Sequence, residues 1–234
     1  METDIVPDLL ENIQKDFNKN VRQSSKLKAI LELIKNGNAT YADANEYAIE
    51  LGELLGKSFN RFLTANTLPD GRMYYNIAER ILNETLSNNH ALVTAATSEI
   101  QETLNIKSGF NIKGIKSALP QDRIDGLINR VAAEEMFDDV KWILQEPIVN
   151  FTQSIVDDSI KENAEFHAKA GLSPTITRTL DNSKACDWCK GLAGVYKYPD
   201  VPDDIYRRHD RCRCTVEYDP NDSKRQNVWT KNWR

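Results

Sequence analysis

Glycine and proline are scarce in this chain, with ten Gly and eight Pro among 234 residues. This composition excludes a β-sandwich with many tight turns and favours long helices. No run approaches the roughly 18 consecutive apolar residues that span a bilayer, so we expect no membrane contact. The start, Met1-Glu2-Thr3-Asp4, lacks the basic-then-apolar order of a signal peptide. We therefore expect a protein that is made and assembled in a cytoplasm.

Positive charge is also in deficit, because the formal net charge is −5. This balance excludes a uniformly basic nucleic-acid binder but allows a local basic patch. Cysteine is absent from residues 1–185, and all four cysteines lie between Cys186 and Cys214. Disulfides are rare in a reducing compartment, and clustered thiols in such a chain more often bind metal.

Apolar residues recur at helical spacing over residues 1–172, and we interpret this region as a helical domain. Breakers at 105–121 divide it, and a long helix is predicted just before them, from about Tyr74 to about Leu104. Helix is predicted again from Ile124 to Phe166, with Pro147 kinking or splitting it because proline lacks the N–H and crowds the preceding turn.

The pattern changes after residue 172, where β-branched residues begin to alternate. Strands are predicted at 175–180, 196–198 and 214–218, within a module spanning 173–220, and residues 221–234 form a polar tail. The expected fold class is mainly α with a small C-terminal α+β zinc-binding module, in which long helices are followed by short antiparallel strands.

The module carries a two-sided metal-ligand pattern: Cys186-x2-Cys189, nineteen residues, then His209-x2-Cys212-x-Cys214. The Cys-x2-Cys turn directs two thiolates at one point, and structural Zn²⁺ takes about four such ligands in a tetrahedron. The pattern predicts a structural zinc ion. Cys186, Cys189 and Cys212 are the first choices, and His209 and Cys214 compete for the fourth position.

Other uses of these residues are possible. The cysteines could be small core hydrophobes or form a disulfide, and a thioredoxin-like Cys-x2-Cys lacks its βαβ surroundings. A Cys–His nucleophile pair needs one thiol beside one base, and His209 is the one histidine near the thiols. A zinc-framed HNH-like nuclease would need further His or Asn residues in the same module. We expect the protein not to be an enzyme.

Arginine is concentrated around His209, at Arg207, Arg208, Arg211 and Arg213. From residue 205 to 234 there are eight Lys/Arg against four Asp/Glu. One interpretation is a patch that contacts DNA phosphates without reading sequence. The alternative is a solvated rim paired with nearby aspartates.

The segments Cys186-Asp-Trp-Cys189-Lys-Gly-Leu-Ala-Gly194 and His209-Asp-Arg-Cys212-Arg-Cys214 resemble the phage head morphogenesis family, the minor head proteins related to the F protein of phage Mu. The resemblance covers about residues 110–220. It implies a structural protein of a tailed phage or prophage, located in the virion inside the head. It also implies portal or major capsid protein as partners and a link to head assembly and packaged DNA.

Overall fold

The computed structural model describes residues 4–181 and 185–220 and is mainly helical. Eight α-helices lie in the described chain: α1 Val6–Gln23, α2 Ser25–Lys35, α3 Tyr41–Phe62, α4 Tyr75–Lys107, α5 Gln121–Ala133, α6 Phe137–Val140, α7 Glu146–Lys169 and α8 Asp187–Leu192. Three strands follow the long helices: β1 Thr175–Thr179, β2 Gly194–Lys197 and β3 Thr215–Asp219. The predicted tail, 221–234, lies outside the described residues.

Side-chain caps begin the second and third helices. The Ser24 hydroxyl accepts from the Leu27 N–H at 3.2 Å. Thr40 and Asp43 form a capping box at the start of α3. The long helix α4 runs from Tyr75 to Lys107, close to its predicted bounds.

The helical segment predicted over 124–166, kinked or split at Pro147, is divided, but the break lies before Pro147. The segment divides into α5, α6 and α7, with a short 3₁₀ turn at Lys141–Leu144. Pro147 lies in the first turn of α7, where its missing N–H costs nothing because no intrahelical acceptor is available there. Pro147 thus begins a helix rather than bending one.

The three strands form one antiparallel sheet in the order β2-β1-β3, with β1 in the centre. Ile176 faces Tyr196 on one side and Tyr218 on the other. The predicted third strand began at Cys214, but β3 begins at Thr215. Cys212 and Cys214 therefore both lie in the loop before the strand.

The sheet packs on the helical body. Ile176, Val216 and Tyr218 are buried in the same apolar cluster as the inner faces of α1, α3, α4 and α7. Tyr218 also bonds His167 near the end of α7. The core therefore crosses the predicted boundary at 172/173. Within the part of the chain that the structure describes, no helix combines the length and apolarity that a bilayer crossing needs.

Candidate metal centre

The two halves of the cysteine motif meet beside the sheet. Cys186 and Cys189 stand at the start of α8, and His209, Cys212 and Cys214 lie in the loop before β3. Their ligand atoms form two triads, Cys186–Cys189–His209 and Cys189–Cys212–Cys214, and within each triad all atoms lie within 4.8 Å of one another. Cys189 belongs to both triads, so it joins the two halves.

One sulfur–sulfur distance matches the edge of a tetrahedral zinc site. The Sγ atoms of Cys189 and Cys212 are 3.8 Å apart. A tetrahedron with Zn–S bonds of ~2.3 Å has an edge of about 3.8 Å. The Nε2 atom of His209 lies 3.3 Å from the Cys186 Sγ and 3.0 Å from the Cys189 Sγ.

The His209 ring is oriented as metal-binding imidazoles are. Its Nδ1 atom lies 2.7 Å from the carbonyl oxygen of Asp210. A carbonyl only accepts, so Nδ1 carries the proton and the Nε2 lone pair faces the thiols. The Asn150 amide fixes the same loop by donating to the His209 carbonyl oxygen at 3.2 Å.

The local fold explains the position of the first two thiols. Cys186 is the N-cap of α8, and its Sγ accepts from the Cys189 N–H at 3.4 Å. This bond lowers the pKa of the Cys186 thiol. Cys189 faces inward, and burial raises its pKa to about 12. A bound divalent cation has to offset that cost before Cys189 becomes a thiolate.

The structure bears on two alternatives to a metal site, a disulfide and cysteines that serve only as small core residues. All four cysteines are free thiols, so the disulfide interpretation has no support. Cys189, Cys212 and Cys214 are buried and contact each other in a small cluster separate from the main core. Cys186 is exposed, which an ordinary core cysteine would not be.

The arginines around His209 have different environments. Arg208 is buried, with 3% of its side chain exposed, and its guanidinium bonds both carboxylate oxygens of Asp157 at 2.5 and 2.9 Å. Burial raises the pKa of the Asp157 carboxyl, and Arg208 opposes that shift. Arg208 is therefore not accessible to a DNA phosphate, and we remove it from the predicted DNA-contacting set.

Two of the other arginines are also paired. Arg213 bonds Glu146 at the start of α7 at 2.9 Å, and Arg207 bonds Asp204 at 2.9 Å. Arg211 is exposed and has a positive φ of 58°. The sequence indicated aspartate partners near His209, but Arg208 and Arg213 pair with acidic residues of α7. These pairs join residues that are more than 50 positions apart in the sequence, so local spacing does not reveal them.

A cleft of about 550 Å³ adjoins His209 between α5, α7 and the 206–210 loop. Arg123 and Arg130 of α5 line it together with Arg207. Arg123 bonds Asp158 at 2.6 Å, and Arg130 lies over the Trp142 ring at 5.2 Å. Most of the positive charge in this cleft is therefore already balanced.

Comparison of the chain with protein-family models, curated proteins and solved structures gives no match. The resemblance to the phage head morphogenesis family thus rests on the motifs quoted above.

Proposed function

We propose that this protein is a structural binding protein whose C-terminal module holds one Zn²⁺ ion through Cys186, Cys189, His209 and Cys212. The observation that carries the proposal is the pair of ligand triads that meet at Cys189. The direction of the His209 Nε2 lone pair favours the imidazole over Cys214 as the fourth ligand. Such a site contributes to folding rather than to catalysis, because four protein ligands leave no open position on the metal.

The arrangement of histidines favours a non-catalytic role over a zinc-framed nuclease. His90 and His167 lie on α4 and α7, and the described residues bring neither one to the ligand cluster. Asn221 and Asn227, the other candidates, lie outside the described residues. A Mg²⁺-dependent plasmid-nicking assay tests this point. Nicking that His209→Ala abolishes would favour the nuclease.

On the strength of the motif resemblance, we propose that the protein is a minor head protein of a tailed phage or prophage. It would be assembled in the host cytoplasm and lie inside the head, bound to the portal, the major capsid protein or both. The long helical body supports this role because helical faces are common binding surfaces for protein partners. Exposed apolar side chains are present on it, including Met136 and Trp142 at 47% and 49% exposure.

Co-expression of the full chain with the portal protein from the same genome tests the assignment. We expect affinity capture of the portal, and we expect Trp142→Ala to weaken capture if that surface takes part. Lys15→Ala is the control, because it changes only an exposed side chain on α1. Failure to capture either the portal or the major capsid protein would reject the head-protein assignment.

A protein inside a filled head lies against densely packed phosphate, so we also propose weak, sequence-independent DNA binding. The accessible candidates are Arg207 and Arg211. Affinity should fall steeply with salt, because each neutralised phosphate releases counterions. The double variant Arg207→Gln/Arg211→Gln keeps the Arg208–Asp157 pair and should bind a DNA duplex more weakly. Equal binding across a salt titration would place these arginines in a solvated rim.

A further inference from the structure

Arg178 is a buried cation beside the metal centre. It lies on the central strand β1, and its residue is 2% exposed. Its Nη1 atom donates to the carbonyl oxygens of Ile205 and Arg207 at 2.5 and 3.0 Å. Its Nη2 atom donates to the Cys212 Sγ at 3.7 Å. Carbonyl oxygens satisfy N–H groups but do not balance a full positive charge.

The charges around Arg178 leave it without a dedicated counter-ion. A guanidinium stays protonated in proteins, and a buried charge is costly unless it is paired. No carboxylate of the described residues forms a salt bridge with Arg178, and the nearby Asp157 already bonds Arg208 through both oxygens. Asp157 and Arg208 cancel, so one positive charge remains. The Cys212 sulfur is the group in position to balance it.

The net charge of the metal centre depends on its ligands. A divalent cation with three thiolates and a neutral imidazole carries −1, and with four thiolates it carries −2. One guanidinium balances the first set and leaves the second uncompensated. The charge balance therefore favours three thiolates with His209 over four thiolates, and the Arg178 contact marks Cys212 as one of the three.

We infer that Arg178 is the positioning residue of the metal centre: it supplies the counter-charge that selects three thiolates and one imidazole, and its fork fixes the loop that presents His209. This inference rests on the proposed metal binding. The geometry serves both roles, because the same guanidinium bonds a ligand sulfur and the backbone at 205 and 207. The guanidinium also lies over the Trp188 ring, 5.4 Å from its centroid, within the Cys-x2-Cys turn. Arg178 thus touches both halves of the motif.

The test uses the full chain with Co²⁺ as a spectroscopic probe and Zn²⁺ in competition with a chromophoric chelator. Arg178→Met should weaken Zn²⁺ binding by roughly 10- to 100-fold, as loss of an outer-shell partner does. It should also move the sulfur-to-cobalt charge-transfer band to longer wavelength, because a sulfur without its N–H donor gives up electrons more easily. Arg178→Lys keeps the charge and should recover part of the affinity. Arg61→Met, whose guanidinium bonds Asp16 on α1 rather than any part of the ligand loop, is the control.

The outcomes separate the two proposals. A wild-type chain that binds neither Co²⁺ nor Zn²⁺ rejects the metal site itself. Wild-type binding, with Arg178→Met unchanged in both affinity and band position, overturns the role of Arg178. If Arg178→Met does not fold, the decision passes to Arg178→Lys: an affinity and band equal to those of wild type would show that charge alone suffices and would overturn the role of the fork. A Cys214→Ser variant that loses the tetrahedral cobalt spectrum overturns the ligand selection.

Discussion

At the scale of single residues, the Asp157–Arg208 pair connects the loop that carries the candidate ligand His209 to the helical body. Arg208 precedes His209 by one residue, and Asp157 lies in the middle of α7. Arg208 also bonds the Cys214 carbonyl oxygen at 2.8 Å and the Asn45 side chain of α3 at 3.1 Å. Because both charges are buried, removing one partner leaves the other without compensation.

The two halves of this pair should respond differently to substitution. Asp157→Asn leaves a guanidinium that cannot lose its proton, so we expect a loss of about 3–5 kcal/mol in the free energy of unfolding. Arg208→Met leaves a carboxyl that can neutralise itself, because burial already raises its pKa. The loss in the free energy of unfolding should therefore be smaller for Arg208→Met than for Asp157→Asn. This loss should shrink further as the pH falls through the raised pKa of Asp157.

Denaturant unfolding at several pH values measures both effects. Asp4→Asn is the control, because Asp4 and Arg80 form an exposed ion pair. Equal losses for Asp157→Asn and Asp4→Asn would contradict the buried-pair account.

Residue types and spacing in the sequence were enough to find all five candidate metal ligands, which the structure brings together. The buried counter-charges were not predictable. Arg178 stood within an alternating strand pattern, and Asp157 stood within a helix, so each had an ordinary local explanation. Their pairing depends on which face of α7 meets the loop before β3, and that is a property of the tertiary fold.

At the scale of secondary-structure elements, α3 and α7 pack closely because of a glycine. A Cβ atom added at Gly52 would lie 2.7 Å from the Cα of Val149 and 3.1 Å from the Thr152 Oγ1. The two backbones therefore approach more closely than any side chain at this position allows. Gly126, in the exposed middle of α5, has nothing within 4 Å of such an atom.

These two glycines give a matched pair of substitutions. Gly52→Ala should force α3 and α7 apart and lower the free energy of unfolding by about 1–3 kcal/mol, as overpacking does. Gly126→Ala should raise it by roughly 0.5–1 kcal/mol, because alanine loses less backbone entropy in a helix. Thermal and denaturant unfolding of both variants checks the signs. A tolerated Gly52→Ala would contradict the close approach of the two helices.

The predicted elements were largely confirmed as a mainly helical chain with a three-stranded antiparallel sheet. Helical periodicity gave α4 within a few residues because the apolar stripe is long. The split between α5 and α7 was placed incorrectly, since a proline fits both a kink and a first turn, and local sequence does not distinguish them. The helix α8 was missed because six residues are too few to show a period.

At the scale of the whole molecule, the proposed metal would stabilise the packing of the C-terminal sheet against the helices. Ile176, Val216 and Tyr218 carry the sheet into the shared core, and the ligand loop is held to α7 by Asp157 and Glu146. The sequence indicated two units in succession, and the contact between them follows from burial that local patterns do not encode. Structural zinc contributes apparent binding energies of roughly 10–16 kcal/mol near neutral pH in finger peptides, and this binding couples to folding.

Metal content tests the central claim most directly. Elemental analysis of full-length protein, purified under reducing conditions without chelator, should give about one zinc per chain. Cys186→Ser and Cys189→Ser should lose the metal, and the chain from β1 onward should unfold in both variants. Cys214→Ser should retain the metal. Freshly made, reduced wild-type protein that contains no zinc and takes up none on addition would contradict the account.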